Sequence, residues 1–479
     1  MPPQNEPADD LAKGVVATAR QSLHDLFVWR QRVVVTNMQG EVRCEWQEPD
    51  RVQNPFSLMA QLSARDWLFF LVGLASWTAD AFDFHALSIQ TVKLAKYYGR
   101  SKTDITTAIT LTLLLRSLGA AAFGLAGDKW GRKWPMVVNM VVLGALQIAT
   151  IYCATFGQFL AVRSLFGLFM GGVYGNAIAM ALEQCPTNAR GLMSGILQQG
   201  YSMAGISILV GLVRICFPES QQFIEAKKQG RKSKSAGAFW RDTRKMLANE
   251  WRMCLYCIIL MTWFNYYSHT SQDSYTTFML TQKKLNNAGA SRASILMKVG
   301  ACVGGTIIGY LSQFFGRRRA IIFSALMSAL MIPAWVLPDG EAALSATGFF
   351  MQFFVQGAWG IIPIHLNELS PVAYRSTFPG VTYQIGNMIS SPSAQIVNAV
   401  AEKLRVRGKN GDRVEAYGPV MAVATAIIAM LIIVTVMLGP ERRGRSFEGG
   451  VAGAESSHAA PRLVDSDEEK GQVEFTESK

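Results

Sequence analysis

The feature that most constrains this chain is the recurrence, from Trp67 onward, of apolar stretches of about 20 or more residues with few charges. Each is long enough to cross a hydrocarbon core roughly 30 Å thick as a helix, and in lipid a helix satisfies its own backbone polar groups. Such stretches occupy residues 66–89, 104–127, 134–155, 159–182, 191–216, 253–275, 294–315, 320–338, 344–367, 376–400 and 416–438. Half of the 479 residues are hydrophobic and only 17% are charged, too little polar surface for the three soluble domains that this length would otherwise imply. The pattern predicts an all-α polytopic membrane protein.

The formal net charge is +12. The basic residues sit in short loops between the apolar stretches, as orientation signals do, and no zinc-ligand or RNP-like pattern accompanies them, so nucleic acid is set aside as a partner in favour of the lipid bilayer. The seven cysteines lie mostly in or beside apolar stretches, where thiols behave as small hydrophobes; no disulfide framework is read, and the lone CxxC of Cys254 and Cys257 reads as coincidence. No nucleotide or metal motif is convincing, so no cofactor is expected. Residues 1–63 are polar, and the first apolar stretch begins too late for a cleaved signal peptide, so it is read as a retained span.

An internal repeat organises the rest. Gly124-x-x-x-Asp128-Lys129-x-Gly131-Arg132-Lys133 returns as Gly309-x-x-x-Gln313-x-x-Gly316-Arg317-Arg318. Glu183-x-x-Pro186-x-x-x-Arg190 returns as Glu368-x-x-Pro371-x-x-x-Arg375, and Gly195-x-x-x-Gln199 as Gly380-x-x-x-Gln384. All three pairs share an offset of 185 residues, which means two homologous halves. The register is then lost. Gln384 to Pro440 is 56 residues but Gln199 to Pro218 only 19, so the first half is about 37 residues short, near the length of one span plus a loop. The basic loops 128–133, 316–319 and 218–250 should share the cytoplasmic side, yet three apolar stretches separate the first from the last, an odd number. The expected divisions are a cytoplasmic segment 1–63, a shortened helical half 64–217, a cytoplasmic central loop 218–250, a second half 251–440 and a disordered cytoplasmic tail 441–479.

Charges inside spans cost roughly 2.5–3.5 kcal/mol each and persist only with a partner or water. The first span holds Asp80, Asp83 and His85, and the second holds Arg116. Arg116 facing a central cavity could receive a carboxylate through its forked guanidinium, or form a structural pair with Asp80 or Asp83. Arg163 lies near one end of its span, where it could snorkel toward water, and ranks below Arg116 as a site candidate. In the stretch 265–277, Asn265, Ser268, His269, Gln272, Asp273 and Thr276 fall within about 140° of one helix face, which must line water or protein. His269 and Asp273, four residues apart, can hydrogen-bond along the helix and handle a proton near neutral pH. Ser268 points about 100° away from His269, so a nucleophilic triad within this helix is not expected and the chain is read as a non-enzyme.

The Gly-x-x-x-Asp-Lys-x-Gly-Arg-Lys loop resembles that between helices 2 and 3 of the major facilitator superfamily. The resemblance implies two six-helix pseudo-repeats, twelve spans in the parent fold, with the helix 5/6 region shortened here. It also implies a cytoplasmic gate in which Asp128 pairs with a cation or a helix N-terminus, Arg132 holds the loop inside, and Glu183, Arg190, Glu368 and Arg375 join one network. The stretch Asn265-x-x-Ser268-His269-x-Ser271-Gln272-Asp273-x-x-x-Thr277 is similar to the signature of the fungal Jen family, carboxylate/proton symporters of the sialate:proton symporter group. Asn54-Pro55-Phe56, Asp80-Ala81-Phe82-Asp83-Phe84, Leu115-Arg116-Ser117 and Tyr383-Gln384-Ile385-Gly386-Asn387 are further family-like segments. By that likeness Arg116, Gln384 and Asn387 are expected at the substrate; the polar face of 265–277 adds Asn265 and Gln272 there, and the side-chain chemistry of His269, Asp273, Asp80 and Asp83 assigns them to proton coupling. The implied protein is a monomeric multi-pass carrier of the plasma membrane with both termini cytoplasmic, taking up lactate- or succinate-like anions with protons. A non-transporting truncated form, and a facilitator for sugars or drugs, stand as the alternatives.

Overall fold

The structure, a computed structural model, describes residues 15–28, 32–36, 42–46, 52–100, 102–183, 185–200, 236–371, 374–407 and 413–443. The side chains of Asp80, Asp83 and His85, most of the tail, and the stretch 201–235, on which the expectation of a shortened helix 5/6 region falls, lie outside the described residues.

Helices dominate. In chain order they are α1 (Val15–Phe27), α2 (Pro55–Ala60), α3 (Ala64–Tyr98), α4 (Lys102–Trp130), α5 (Lys133–Ile151), α6 (Phe156–Gly171), α7 (Val173–Glu183) and α8 (Arg190–Gln199). After these come α9 (Ala236–Gln272), α10 (Tyr275–Thr281), α11 (Asn287–Phe315), α12 (Arg317–Val336), α13 (Glu341–Leu369), α14 (Thr377–Ser390), α15 (Ser393–Lys403) and α16 (Tyr417–Leu438). Two antiparallel hairpins accompany them: β1 (Arg32–Thr36) with β2 (Val42–Trp46), and β3 (Arg405–Arg407) with β4 (Arg413–Glu415). Among the described residues seven helical segments are long and apolar enough to cross a membrane.

The local chemistry explains many boundaries. Asn54 accepts from the Phe56 amide ahead of Pro55, the residue best suited to a first helical turn. Thr155 and Gln158 form a capping box that starts α6. The two turns of the repeated loop are made by Gly131 at φ 94° and Gly316 at φ 96°, positions 185 residues apart where a side chain would strain the backbone. Long apolar stretches also contain breaks that periodicity did not reveal, at Gly172, at Asp273–Ser274 and at Ser391–Pro392.

Outer faces are apolar where a soluble protein would be polar. On α16, Val423, Ile427, Met430 and Val434 form one exposed stripe, while Met421, Thr425, Ile428, Ile432 and Val436 are buried behind it. A lipid environment suits such a stripe, which water would penalise by about 25 cal/mol per Å². Trp130 and Trp134 are exposed beside the repeated loop, each with a lysine over its ring, a placement that suits the membrane–water boundary.

The halves meet through small residues at paired positions. A Cβ on Gly124 of α4 would lie 2.7 Å from the Thr377 Cα of α14, and one on Gly309 of α11 would lie 2.7 Å from the Gly195 Cα of α8. Ser194 of α8 enters the backbone ladder of α13: its hydroxyl donates to the Gly360 carbonyl at 2.8 Å and accepts from the Ile364 amide at 3.1 Å. It thereby satisfies the helix where Pro363 disturbs it. At the repeated-loop end, Arg318 and Arg319 donate to the Ser22, Leu26 and Val28 carbonyls, holding α1 against the second half.

Candidate functional site

The polar face of α9 is built as the spacing of its residues requires. His269 Nδ1 and Asp273 Oδ2 lie 2.9 Å apart, and both side chains are partly exposed, 21% and 44%. The helix stops at Gln272, yet the Asp273 amide still donates to the His269 carbonyl at 3.0 Å, which keeps the carboxylate on the imidazole side. Gln272 Nε2 donates to Ser268 Oγ at 2.9 Å, and Gln352 of α13 donates to the carbonyl and hydroxyl of Ser271 at 3.3 and 3.2 Å. Asn265 is buried and donates back to the Met261 carbonyl at 2.8 Å.

Arg116 of α4 and the Gln384/Asn387 turn of α14 come to the same place from two sides. Ser117 Oγ donates to the Gln384 carbonyl at 3.0 Å, tying the two helices together beside Arg116. The His269 ring lies beside Asn387 and within the electrostatic reach of the Arg116 guanidinium. A cation of the first half, a titratable ring of the second and an amide of α14 are thus neighbours. The Gln384 side chain is fully buried, and its amide has no hydrogen-bond partner among the described residues. A buried amide in that condition is complete only when water or a solute reaches it.

Beside this cluster the halves close through rings. Tyr174 of α7 stacks on Tyr383 of α14, Trp77 of α3 lies 4.8 Å from Tyr174, and Trp359 of α13 meets Tyr383 edge-on at 6.1 Å, all centroid to centroid. Tyr174 and Trp359 occupy equivalent positions of the repeat, 185 residues apart.

Nearer the repeated loops, Asp128 accepts from the Ser376 and Thr377 amides at 3.1 and 2.9 Å and from Thr377 Oγ1 at 2.6 Å. A first-half carboxylate therefore caps the N-terminus of α14, where the helix dipole is positive. Arg132 pairs with Glu183, and Arg317 with Glu368, Nε to Oε2 at 3.1 Å and Nη2 to Oε1 at 3.2 Å. The glutamates thus engage the arginines of the preceding loop. Arg190 donates Nε to the Cys185 carbonyl at 3.1 Å, and both Arg190 and Arg375 are buried in the same region. Burial pushes the Cys185 thiol up to about 12 despite the nearby Arg190.

A snorkelling Arg163 is overturned. Its side chain is buried, with the guanidinium carbon 4.1 Å from the Phe166 ring centroid and Nη1 donating to Gln147 Oε1 at 3.2 Å. Cation–π contact and a protein acceptor replace the water that the position near a span end seemed to offer. Sequence reasoning also passed over Lys298 of α11, which donates to Gln272 Oε1 at 2.6 Å, although a lone lysine within an apolar stretch carries the same signal as Arg116.

A profile described as "Major Facilitator Superfamily" matches residues 68–207, and one described as "Sugar (and other) transporter" matches 211–450. The chain is 30% identical over 443 residues to a carboxylic acid transporter protein homolog of Saccharomyces cerevisiae, an alignment covering 83% of this chain and 72% of that one. It is 22% identical to a probable 4-methylmuconolactone transporter of Cupriavidus pinatubonensis (81% and 93% covered) and 23% identical to the sialic acid transporter NanX of Escherichia coli (64% and 80%). Among solved structures, a proton:xylose symporter, XylE, superposes with a TM-score of 0.60 at 14% identity, covering 80% of this chain and 97% of that one. With its paired halves and multi-pass helical architecture, the chain belongs to the major facilitator superfamily of membrane transporters.

Proposed function

We propose that the chain takes up small carboxylate anions together with protons across the plasma membrane, as a monomer with both termini in the cytoplasm. Its two halves rock around a site near the mid-plane. The observation that carries this reading is the neighbourhood of Arg116, His269 and Asn387, with Asp273 on the far side of the imidazole. A fixed guanidinium beside a titratable ring is the minimum equipment for coupling an anion to a proton. Anion bound at Arg116 favours the imidazolium, and proton loss weakens the hold on the anion. On this reading Gln384 and Asn387 orient the carboxylate, Asn265 shapes the helix beneath it, and Asp80 and Asp83 balance Arg116. Asp128, Arg132, Glu183, Arg190, Glu368 and Arg375 form the cytoplasmic gate. The kinship with a carboxylic acid transporter homolog and a sialic acid transporter supports an anionic substrate.

The test is uptake of labelled lactate and succinate at acidic external pH by the full chain in a host stripped of its own carboxylate carriers. The wild type should acidify the interior as anion enters, Arg116→Ala should abolish uptake, and Asp273→Asn should retain anion exchange while losing its dependence on the proton gradient. Unchanged uptake in both variants refutes the assignment. Proton-coupled uptake of a neutral sugar without carboxylate uptake would move the chain to the sugar carriers.

A further inference from the structure

Lys298 stands on α11 eleven residues after the helix begins at Asn287, about 16 Å along the axis. That depth is beyond the reach of a lysine stem seeking the membrane surface, so snorkelling does not explain the residue. Its ammonium turns instead to the polar face of α9. It donates to Gln272 Oε1 at 2.6 Å and lies within the electrostatic reach of the Asp273 carboxylate.

Gln272 is thereby engaged at both ends, with its oxygen accepting from Lys298 and its nitrogen donating to Ser268 Oγ. Its amide plane is fixed by the protein. Lys298 is not exhausted in the same way, because an ammonium has three donors and its side chain is exposed to open volume. The cation is held in place by its hydrogen bond to Gln272, with donors to spare for a solute. Arg116 belongs to the first half and Lys298 to the second, and the His269–Asp273 pair stands between them in the chain of contacts.

We propose, building on the carboxylate reading above, that Lys298 is a second anion-binding point that engages the distal carboxylate of a four-carbon dicarboxylate. It would make the carrier select dicarboxylates over monocarboxylates. Arg116 takes the carboxylate common to both classes, and Gln272 acts as the positioning residue that aims the ammonium. A mere counter-ion for Asp273 would instead affect both classes alike, because Asp273 serves the proton and not the substrate's length.

Labelled succinate and lactate uptake are measured in the full chain, wild type against Lys298→Met and Lys298→Arg, at equal amounts of surface protein. Lys298→Met should raise the KM for succinate about tenfold or more, the loss of one charged hydrogen bond, and leave lactate within about twofold. Lys298→Arg, which keeps the charge, should recover most of the succinate affinity. Parallel loss of both substrates, loss of neither, or a wild type that prefers lactate overturns the proposal. If Lys298→Met does not reach the surface, succinate inhibition of lactate uptake by Lys298→Arg and Gln272→Ala decides: an unshifted inhibition constant in Gln272→Ala overturns it. A wild type that carries neither anion fails the carboxylate reading itself, an outcome distinct from carriage with an unaltered succinate-to-lactate ratio.

Discussion

Tyr174 and Tyr383 stack face to face across the boundary between the halves, with ring centroids 3.9 Å apart and planes inclined by 19°. Trp77 and Trp359 close the flanks of this pair, so four rings on four helices meet at the seam between the halves. Such pairs contribute roughly 0.5–1.5 kcal/mol each beyond their buried area. Tyr383→Ala should therefore weaken the closed arrangement about tenfold, which proteoliposomes would register as a proton leak in the absence of substrate. Tyr383→Phe should stay tight, and a tight Tyr383→Ala would mean that the rings are packing only.

The Asp128 carboxylate faces two backbone amides and a hydroxyl at the start of α14, so on the proposed gating its charge should hold the two halves together there. Asp128→Asn keeps the shape and removes the charge–dipole attraction, about 1 kcal/mol or more in a buried setting. The readout is Cys185, whose thiol is held neutral by burial and so should react slowly with maleimide at pH 7.5. In a variant retaining Cys185 as its one cysteine, Asp128→Asn should accelerate labelling severalfold. Equal rates would separate Asp128 from the gate.

Close approach of α8 and α11 is the second contact on which the proposed closure should depend. A Cβ on Gly195 would sit 2.5 Å from the Gly305 carbonyl oxygen, a backbone atom that cannot step aside, whereas Gly157 has open space around it. Gly195→Leu should cut uptake at least about tenfold while the protein still reaches the membrane, and Gly157→Ala should be silent. Normal uptake by Gly195→Leu would show that the helices need not touch during the cycle.

Arg163 makes the contrasting case. Buried against Phe166 and Gln147, it is expected to support the first half rather than to bind solute. Arg163→Ala should lower the melting temperature in detergent by several degrees, in keeping with a loss of about 2–3 kcal/mol, and leave the KM of any carried anion unchanged. A raised KM at constant stability would return Arg163 to the site.

Much of this was legible in the residues alone, for physical reasons that can be named. Lipid demands long apolar runs, so seven of the eleven expected spans reappear as helices long and apolar enough to cross a membrane, and a duplicated gene keeps its spacing, so the 185-residue offset exposed Gly131 with Gly316 and Glu183 with Glu368. The His269–Asp273 contact followed from helical periodicity. What stayed hidden depends on how separate helices lie side by side. No local pattern pairs Glu183 with Arg132 or inserts Ser194 into the ladder of α13. Tyr174 and Trp359 were within reach of the same offset, but aromatic residues in apolar stretches are too common to stand out until three dimensions stack them.

The duplication is faithful in position and unequal in charge. Where the first half has Asp128, the offset assigns Gln313 to the second, and that amide oxygen accepts from Arg317 of its own loop at 2.7 Å instead of reaching across to the other half. One corner of the seam is thus fastened by a carboxylate on a helix end, and the opposite corner by glycine against glycine. The two corners are therefore joined by unlike forces, charge against a helix dipole at one and backbone against backbone at the other, so neutralising the one carboxylate would loosen the first and leave the second untouched.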